Sequence, residues 1–235
     1  MGSIASNLQE VKQRIAAACV LAERPAARAA NSVTLLAVSK TFGADAVREA
    51  LAAGQHAFGE NYVQEALAKI EALAQLRAQL EWHFIGELQS NKTRAVAEAF
   101  DWVHSVDRLK IAQRLAEQRP TELPPLQLCL QVNISGQGSK GGVLPAEVSG
   151  LAHAVAALPA HRVRLRGLMS IPEPAQGSPA QREPHRALFE LFSTLRSQGL
   201  ALDTLSMGMS ADLEAAVAEG STVVRVGSAI FGLRG

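Results

Sequence analysis

Residues 34–61, TLLAVSKTFGADAVREALAAGQHAFGEN, contain one complete strand–helix–strand unit. The short apolar runs at 34–38 and 56–59 predict strands, and apolar residues three and four apart at 45–53 predict a helix between them. Gly54 stands where that helix is expected to end. Two strands that are joined through a helix pair in parallel by a right-handed crossover. This unit therefore predicts an α/β protein.

The same alternation continues along the chain. The predicted strands are residues 34–38, 56–59, 82–85, 102–106, 126–134, 164–170, 204–207 and 222–226. The clearest helical spacings between them are at residues 45–53, 61–80, 107–118, 145–158 and 184–198. An additional amphipathic helix at about residues 8–22 precedes the first strand.

Eight such units favour a single (β/α)8 TIM barrel as one domain over residues 1–235. The alternative is an open doubly wound sheet, which typically carries a GxGxxG turn after an early strand, and this sequence has none. The proline-rich segment 171–184 predicts a long loop rather than a boundary between domains.

Charge and composition exclude several classes of protein. The chain has 23 Lys and Arg against 22 Asp and Glu, so its net charge is +1 and it has no general basic field to hold nucleic acid. Cys19 and Cys129 match no metal or redox spacing. No apolar run approaches the ~18 residues of a membrane span, and residues 1–10 lack the pattern of a signal peptide. We therefore expect a cytoplasmic protein that binds neither nucleic acid nor membranes.

Polar and small residues mark the carboxyl ends of the predicted strands, where ligands bind in a barrel of this class. The candidates are Lys40, Asn61, His83, Ser206, Arg225, Gly227 and Ser228. We expect His153, His161 and His185 to lie on solvated helices or loops instead. The strand-end residues predict a binding pocket at one end of the barrel.

Lys40 and Arg225 carry the chemistry of this pocket. A lysine pressed against a barrel mouth can form a Schiff base with an aldehyde, although the long side chain can also extend from the rim into water. Strand alternation predicts that Arg225 points into the barrel, where it requires either a ligand or an ion pair with an acid such as Glu60. The turn at Gly227 and Ser228 follows the last strand, where barrels commonly bind phosphate. Together these residues suggest a pocket for a phosphorylated aldehyde.

Several long motifs in this sequence resemble those of the pyridoxal phosphate homeostasis proteins. The motifs are LLAVSKTFGADAVREALAAGQHAFGENYVQE at 35–65, WHFIGELQSNK at 82–92, HSVDR at 104–108, LQVNISGQGSKGG at 130–142, RGLMSIP at 166–172 and LSMGMSADLEAAVAEGSTVVRVGSAIFG at 205–232. The resemblance runs from about residue 8 to residue 232. It implies a barrel of the alanine racemase N-terminal type, which is the third fold type of pyridoxal 5′-phosphate (PLP) proteins.

The resemblance also implies roles for the candidate residues. Lys40 is expected to carry PLP as a covalent aldimine, with Arg225 facing the pyridine nitrogen. Ser206, Gly227 and Ser228 are expected to hold the phosphate, and Asn61 and His83 to line the pocket.

A function without established catalytic turnover follows from the same resemblance: the protein buffers PLP, or delivers it to PLP-dependent acceptor enzymes, as a monomer. A racemase-like enzyme of low activity is the alternative, but the only tyrosine, Tyr62, is then needed as a second base, because the sequence leaves no room for the β domain that usually supplies one. A Schiff-base aldolase that acts on a sugar phosphate is a third hypothesis. Lys140, in the glycine-rich stretch 136–142, is an open candidate for a second PLP site on a surface loop.

Overall fold

The first strand of the chain pairs with the last. β1 (Thr34–Val38) runs parallel to β2 (Ala57–Glu60) on one side and to β8 (Val223–Val226) on the other. The strands follow one another from β1 to β8 around a closed barrel, which confirms the (β/α)8 prediction and excludes the open sheet. The computed structural model describes residues 2–22, 33–137, 141–175 and 177–232.

Helices alternate with strands around the barrel. The other strands are β3 (Glu81–Phe84), β4 (Trp102–Val106), β5 (Leu126–Gln131), β6 (Val163–Met169) and β7 (Thr204–Ser206). The α-helices are α1 (Ile4–Leu21), α2 (Ala44–Ala52), α3 (Val63–Ala72), α4 (Thr93–Ala99), α5 (Leu109–Gln118), α6 (Val148–Ala156), α7 (Ser178–Ser197), α8 (Leu213–Ala218) and α9 (Ser228–Phe231).

Two predicted elements differ most from the observed ones. The helix expected at 61–80 ends at Ala72, and a 3-10 turn at Ala74–Gln79 brings the chain back to β3. The loop expected at 171–184 is partly helical, because α7 begins at Ser178. Its first turn tolerates a proline, since the first N–H groups of a helix have no intrahelical partner, and Pro184 lies inside the helix.

Apolar side chains pack in two layers, one inside the barrel and one between the barrel and its helices. On β8, Val224 and Val226 belong to the outer layer, whereas Val223 belongs to the inner one. Strand alternation therefore turns Arg225 into the barrel, as predicted. The inner apolar cluster is small and consists of Leu36, Val38, Ala57, Ile85 and Val223. Polar side chains occupy much of the remaining interior.

The N-terminal helix packs on the outside of the barrel, near the seam where β1 pairs with β8. Leu8, Val11 and Ile15 of α1 are buried in the outer apolar layer. The Asn7 side-chain amide donates a hydrogen bond of 2.8 Å to the backbone oxygen of Ile230 in α9. The extra helix predicted before the first strand is therefore packed against the last helix of the described chain.

Candidate functional site

A cavity of about 840 Å³ opens at the carboxyl ends of the strands. Five of the seven predicted site residues line it, namely Lys40, Asn61, Arg225, Gly227 and Ser228. Its apolar wall includes Val38, Phe42, Ile85 and Ile171. His83 and Ser206 are not among the described residues that line it, because both lie deeper inside the barrel. We call this space the C-terminal cavity.

Lys40 reaches the C-terminal cavity by strand alternation. Leu36 and Val38 belong to the inner cluster, and the alternation continues beyond β1 to the half-buried Lys40. The next residue, Thr41, has a left-handed φ of 69°, a conformation that costs a non-glycine residue about 1–2 kcal/mol. The Thr41 N–H donates to Glu65 Oε1 at 2.5 Å. This bond holds the sharp turn that follows the lysine.

A buried ion pair supports the same turn from the helix side. Lys69 Nζ lies 2.5 Å from Glu60 Oε1 and donates to the backbone oxygen of Ser39 at 2.8 Å. The Ser39 hydroxyl donates to the same carboxylate at 2.6 Å. Burial raises the pKa of Glu60, and the adjacent Lys69 ammonium opposes that shift. Because Glu60 is engaged by Lys69, the suggested ion pair between Glu60 and Arg225 is wrong.

Arg225 is held by neutral oxygen atoms. Its Nη1 donates to the backbone oxygen of Ser206 at 2.6 Å and to the Ser206 hydroxyl at 2.8 Å, and its Nη2 donates to the backbone oxygen of Ser170 at 2.8 Å. Burial lowers the pKa of Arg225 to about 10, a shift that Asp212 and Cys129 oppose. The guanidinium remains charged at neutral pH. Nε and the second Nη2 hydrogen have no partner among the described residues, so they are free to serve a ligand.

Gly227 and Ser228 form the junction between β8 and α9. Ile230 N–H donates to the Gly227 oxygen at the start of α9, so the N–H groups of the preceding residues are left for other partners. A Cβ atom on Gly227 would lie 3.1 Å from the backbone oxygen of Val38. Glycine therefore lets the ends of β8 and β1 approach each other beside the C-terminal cavity.

The loop between β7 and α8 supplies a further side of the cavity. Met209, Ser210 and Ala211 line it. Asp212 holds this loop, because its carboxylate accepts from Met209 N–H at 2.7 Å and bonds to His185 Nε2 at 2.9 Å. Burial alone would raise the pKa of Asp212, but these two hydrogen bonds lower it overall. His185 is fully buried, so its expected place on a solvated surface is wrong.

Asn61 is placed by a close approach of two strand ends. A Cβ atom on Gly86, after β3, would lie 2.1 Å from the backbone oxygen of Asn61. Only glycine fits beside Asn61 in this arrangement. The Asn61 Oδ1 atom is buried and has no hydrogen-bond partner within the described part of the chain. A ligand in the C-terminal cavity can satisfy it.

His83 and Ser206 belong to a row of polar side chains inside the barrel. Glu81 Oε1 lies 2.6 Å from His83 Nε2, and His83 Nδ1 lies 2.9 Å from His104 Nε2. His104 Nδ1 lies 2.8 Å from the Ser206 hydroxyl, which also accepts from Arg225. We call these five residues the interior chain. Burial holds the pKa of His104 well below its ordinary value, and the neighbouring His83 and Arg225 lower it further.

The sequence analysis did not identify two residues that contribute to this site, Lys69 and Ser210. Lys69 is buried in α3, three residues after the buried Ala66. A lysine on the apolar face of a helix is the sequence signal that could have identified it. The sequence analysis names Ser206, at the end of β7, as a site residue. The serine that lines the C-terminal cavity is Ser210, in the turn after β7. Lys140, the candidate for a second PLP site, lies outside the described residues.

The whole chain matches one family model. The model of the alanine racemase N-terminal domain covers residues 1–235, and an alanine racemase from Corynebacterium glutamicum has the same fold, with a TM-score of 0.68 at 20% identity over 98% of this chain and 61% of that one. These matches, with the closed barrel and its lysine, define the class as an alanine racemase N-terminal type barrel.

More similar relatives identify the family within this class. Curated relatives from Pseudomonas aeruginosa (58% identical, 100% of this chain and 97% of the relative) and Escherichia coli (53% identical, 100% and 98%) are each named pyridoxal phosphate homeostasis protein. PipY of Synechococcus elongatus, solved with PLP bound, is 38% identical with a TM-score of 0.82, over 98% of this chain and 100% of that one. The chain belongs to the family of pyridoxal phosphate homeostasis proteins.

Within residues 2–22, 33–137, 141–175 and 177–232, no helix has both the length and the apolar character needed to cross a bilayer.

Proposed function

We propose that this chain binds PLP in the C-terminal cavity through a Schiff base with Lys40, and that it buffers and carries PLP in the cell. The observation that carries this proposal is the convergence of Lys40, Arg225, Gly227 and Ser228 on one cavity of about 840 Å³. The relatives named for PLP homeostasis and the PLP-bound PipY structure support the choice of ligand.

The chemistry of the cavity fits PLP group by group. PLP has an aldehyde, a pyridine nitrogen, a phenolic oxygen and a phosphate. The cavity offers a primary amine on Lys40, free N–H donors on Arg225 and a buried, unpartnered amide oxygen on Asn61. The junction at Gly227 and Ser228 adds backbone N–H groups and a hydroxyl, which suit a phosphate.

Lys40 supplies the covalent attachment. Its Nζ adds to the aldehyde carbon, the carbonyl oxygen leaves as water, and a carbon–nitrogen double bond remains. The reverse reaction with water, or exchange with another amine, releases PLP. The turn at Thr41, held by Glu65, keeps Lys40 at the cavity in both states.

Arg225 limits what the bound ligand can do. PLP supplies an electron sink when its pyridine nitrogen is protonated. A guanidinium only donates hydrogen bonds, so Arg225 opposite that nitrogen favours its unprotonated form. This arrangement weakens carbanion chemistry and favours a carrier over an enzyme.

The phosphate contacts are proposed at Gly227, Ser228 and Ser206. Ser210 is an additional candidate because it lines the C-terminal cavity. The Ser206 hydroxyl already bonds to Arg225 and His104. Its phosphate contact stays a prediction that requires the hydroxyl hydrogen to turn from His104 to the phosphate, and its contact with Arg225 gives it a positioning role. His83 likewise acts from below the cavity.

Racemase-like activity is the second candidate function, since the barrel is that of the alanine racemase N-terminal domain. It requires a second base on the face of PLP opposite Lys40. The Tyr62 side chain is exposed and is not among the described residues that line the C-terminal cavity. Incubation with PLP and an L-amino acid in deuterated solvent tests this activity: α-proton exchange above that of free PLP supports the enzyme, and none supports the carrier.

Borohydride trapping tests the proposed function. The purified protein is mixed with PLP, its visible absorption is recorded, and the complex is reduced and mapped by peptide mass spectrometry. We expect phosphopyridoxyl on Lys40 in the wild type and in Lys110→Ala, a control that removes an exposed lysine of α5. A protein that stays colourless with PLP contradicts the proposal and favours the Schiff-base aldolase.

The variant Lys40→Ala separates attachment from binding. We expect it to lose the covalent adduct and to keep weaker, non-covalent PLP binding, because Arg225, Gly227 and Ser228 remain. Equilibrium dialysis with PLP measures that residual affinity. Complete loss of binding contradicts the contribution assigned to these three residues. The cytoplasmic location, the monomeric state and transfer to acceptor enzymes stay predictions.

A further inference from the structure

The interior chain joins the two ends of the barrel. At one end Arg225 lines the C-terminal cavity, and at the other Glu81 lines a second cavity of about 960 Å³ at the opposite mouth. Between them His83, His104 and Ser206 are almost completely buried. Four successive contacts of 2.6–2.9 Å connect the five side chains.

The hydrogen bonds of the interior chain all run in one direction, because each side chain has only certain donor and acceptor atoms. Arg225 can only donate, so Ser206 Oγ accepts from it and has one hydrogen left, which goes to His104 Nδ1. His104 is neutral because its burial lowers its pKa. It therefore carries its hydrogen on Nε2 and donates to His83 Nδ1.

The last hydrogen bond of the interior chain is accepted by the carboxylate of Glu81. With Nδ1 accepting, a neutral His83 carries its hydrogen on Nε2 and donates to Glu81. The hydrogen bond from His83 lowers the pKa of Glu81, and the nearby Arg166 and Arg77 act in the same sense against the effect of burial. Each hydrogen that links two neighbouring members of the interior chain then has an acceptor, with a cation at one end and an anion at the other.

We infer that Glu81, His83 and His104 are positioning residues for Arg225, and that through Ser206 they fix which guanidinium hydrogens face the ligand. This inference rests on the proposed function. Because both Nη1 contacts are committed to Ser206, Nε and the second Nη2 hydrogen remain for the ring nitrogen. On this inference, Glu81 at the far mouth helps to hold in place the guanidinium that lines the C-terminal cavity.

The opposite direction leaves one buried hydrogen without a partner. If His83 donated from Nδ1, a neutral His104 would have to donate from Nδ1 to Ser206. Ser206 Oγ would then accept from both His104 and Arg225, and its own hydrogen would have no acceptor among the described residues. The Arg225–Ser206 bond exists in both directions, but only the direction toward Glu81 also gives the Ser206 hydroxyl hydrogen an acceptor among the described residues.

Nitrogen NMR of the histidine rings tests the direction without PLP. We expect His83 and His104 in the PLP-free protein to carry a hydrogen on Nε2 and none on Nδ1. A hydrogen on His104 Nδ1, or a doubly protonated His83, overturns the inference. Assignment uses spectra of His83→Gln and His104→Gln, in each of which one ring signal disappears.

Two interior variants and a surface control test the effect on the ligand. Glu81→Gln removes the terminal charge at a half-exposed side chain, and His104→Gln replaces a ring that bonds through both nitrogens. We expect each to raise the dissociation constant for PLP about 2- to 30-fold and to shift the visible band of the complex. Glu122→Gln, at an exposed carboxylate of the loop before β5, should leave both unchanged.

Wild-type binding separates the possible outcomes. A wild-type protein that binds no PLP overturns the proposed function. A wild type that binds PLP, with folded Glu81→Gln and His104→Gln proteins of identical affinity and spectrum, overturns the positioning role alone. Denaturant unfolding of each variant identifies any change that comes from lost stability, and the band shift is the readout that lost stability does not produce.

Discussion

Arg225 brings a permanent charge into the barrel, and no carboxylate of the residues that the structure describes is in contact with it. Two backbone oxygens and the Ser206 hydroxyl receive its hydrogens. A buried cation in such surroundings is costly unless its donors are satisfied. A ligand with an acceptor atom above Arg225 lowers that cost, so the residue favours a ligand with an unprotonated ring nitrogen.

The variant Arg225→Glu tests this role. The new carboxylate would face the backbone oxygens of Ser206 and Ser170, so we expect the free energy of unfolding to fall by about 3–5 kcal/mol. Where the variant folds, a carboxylate near the ring nitrogen stabilises its protonated form, and the visible band of bound PLP should shift. Denaturant unfolding and a PLP titration measure the two effects. A cofactor spectrum identical to that of the wild type would show that Arg225 is not at the nitrogen.

Strand alternation explains which site residues could be predicted from the sequence. Lys40, Arg225, Gly227 and Ser228 lie at or just beyond strand ends, where a period of two gives the direction of each side chain. Depth along the barrel axis has no such signal, so His83 was assigned to the pocket although it lies below it. The partner of Glu60 could not be predicted from strand alternation either, because Lys69 lies on a helix.

At the scale of elements, β2 and β3 meet so closely after their ends that Gly86 has no room for a side chain. We expect Gly86→Ala to displace Asn61, to lower the free energy of unfolding by about 1–3 kcal/mol, and to weaken PLP binding. The control Gly150→Ala lies inside α6 with nothing within 4 Å of the new Cβ, and it should stabilise the protein by about 0.5–1 kcal/mol. Equal stability of the two variants would contradict this account.

The loop between β7 and α8 depends on the ionised form of Asp212. Its pKa is lower in the folded protein, so its contribution to stability is present at neutral pH and is lost as the pH falls through the folded-state value. We expect the difference in free energy of unfolding between the wild type and Asp212→Asn to shrink from about pH 7 to about pH 3. The exposed Asp45→Asn serves as control. A difference that does not change with pH would show that the carboxylate does not hold the loop as a charged group.

Short elements mark the limit of sequence-based prediction of the fold. The predicted bounds of β1 and β4 equal the observed ones. β1 is a nearly continuous apolar run, whereas β4 has apolar residues at both ends and lies between Asp101 and Asp107. α4, α8 and α9 have seven, six and four residues, which is too short for a helical period to repeat. The number of strands and their order were nevertheless sufficient for the barrel.

Over the whole molecule, the first and last helices that the structure describes, α1 and α9, meet beside the C-terminal cavity. Asn7 of α1 ties α9, the helix that begins with Ser228. We expect Asn7→Ala to lower the free energy of unfolding by about 1 kcal/mol and to weaken PLP binding, because α9 is held less firmly. Gln9→Ala, an exposed position on the same helix, should change neither quantity. Unaltered PLP binding by Asn7→Ala would show that α9 is fixed by packing alone.

The closure between β1 and β8 has a consequence for biosynthesis. Thr34 N–H donates to the backbone oxygen of Thr222 between β1 and β8. One edge of β1 therefore stays unpaired until β8 has been synthesised. Lys40 stands 185 residues before Arg225, so it leaves the ribosome before Arg225 and Ser228 do. If the chain binds PLP as proposed, a growing chain has the amine before it has the residues proposed to select the ligand. Stable loading then follows the emergence of β8 and its pairing with β1.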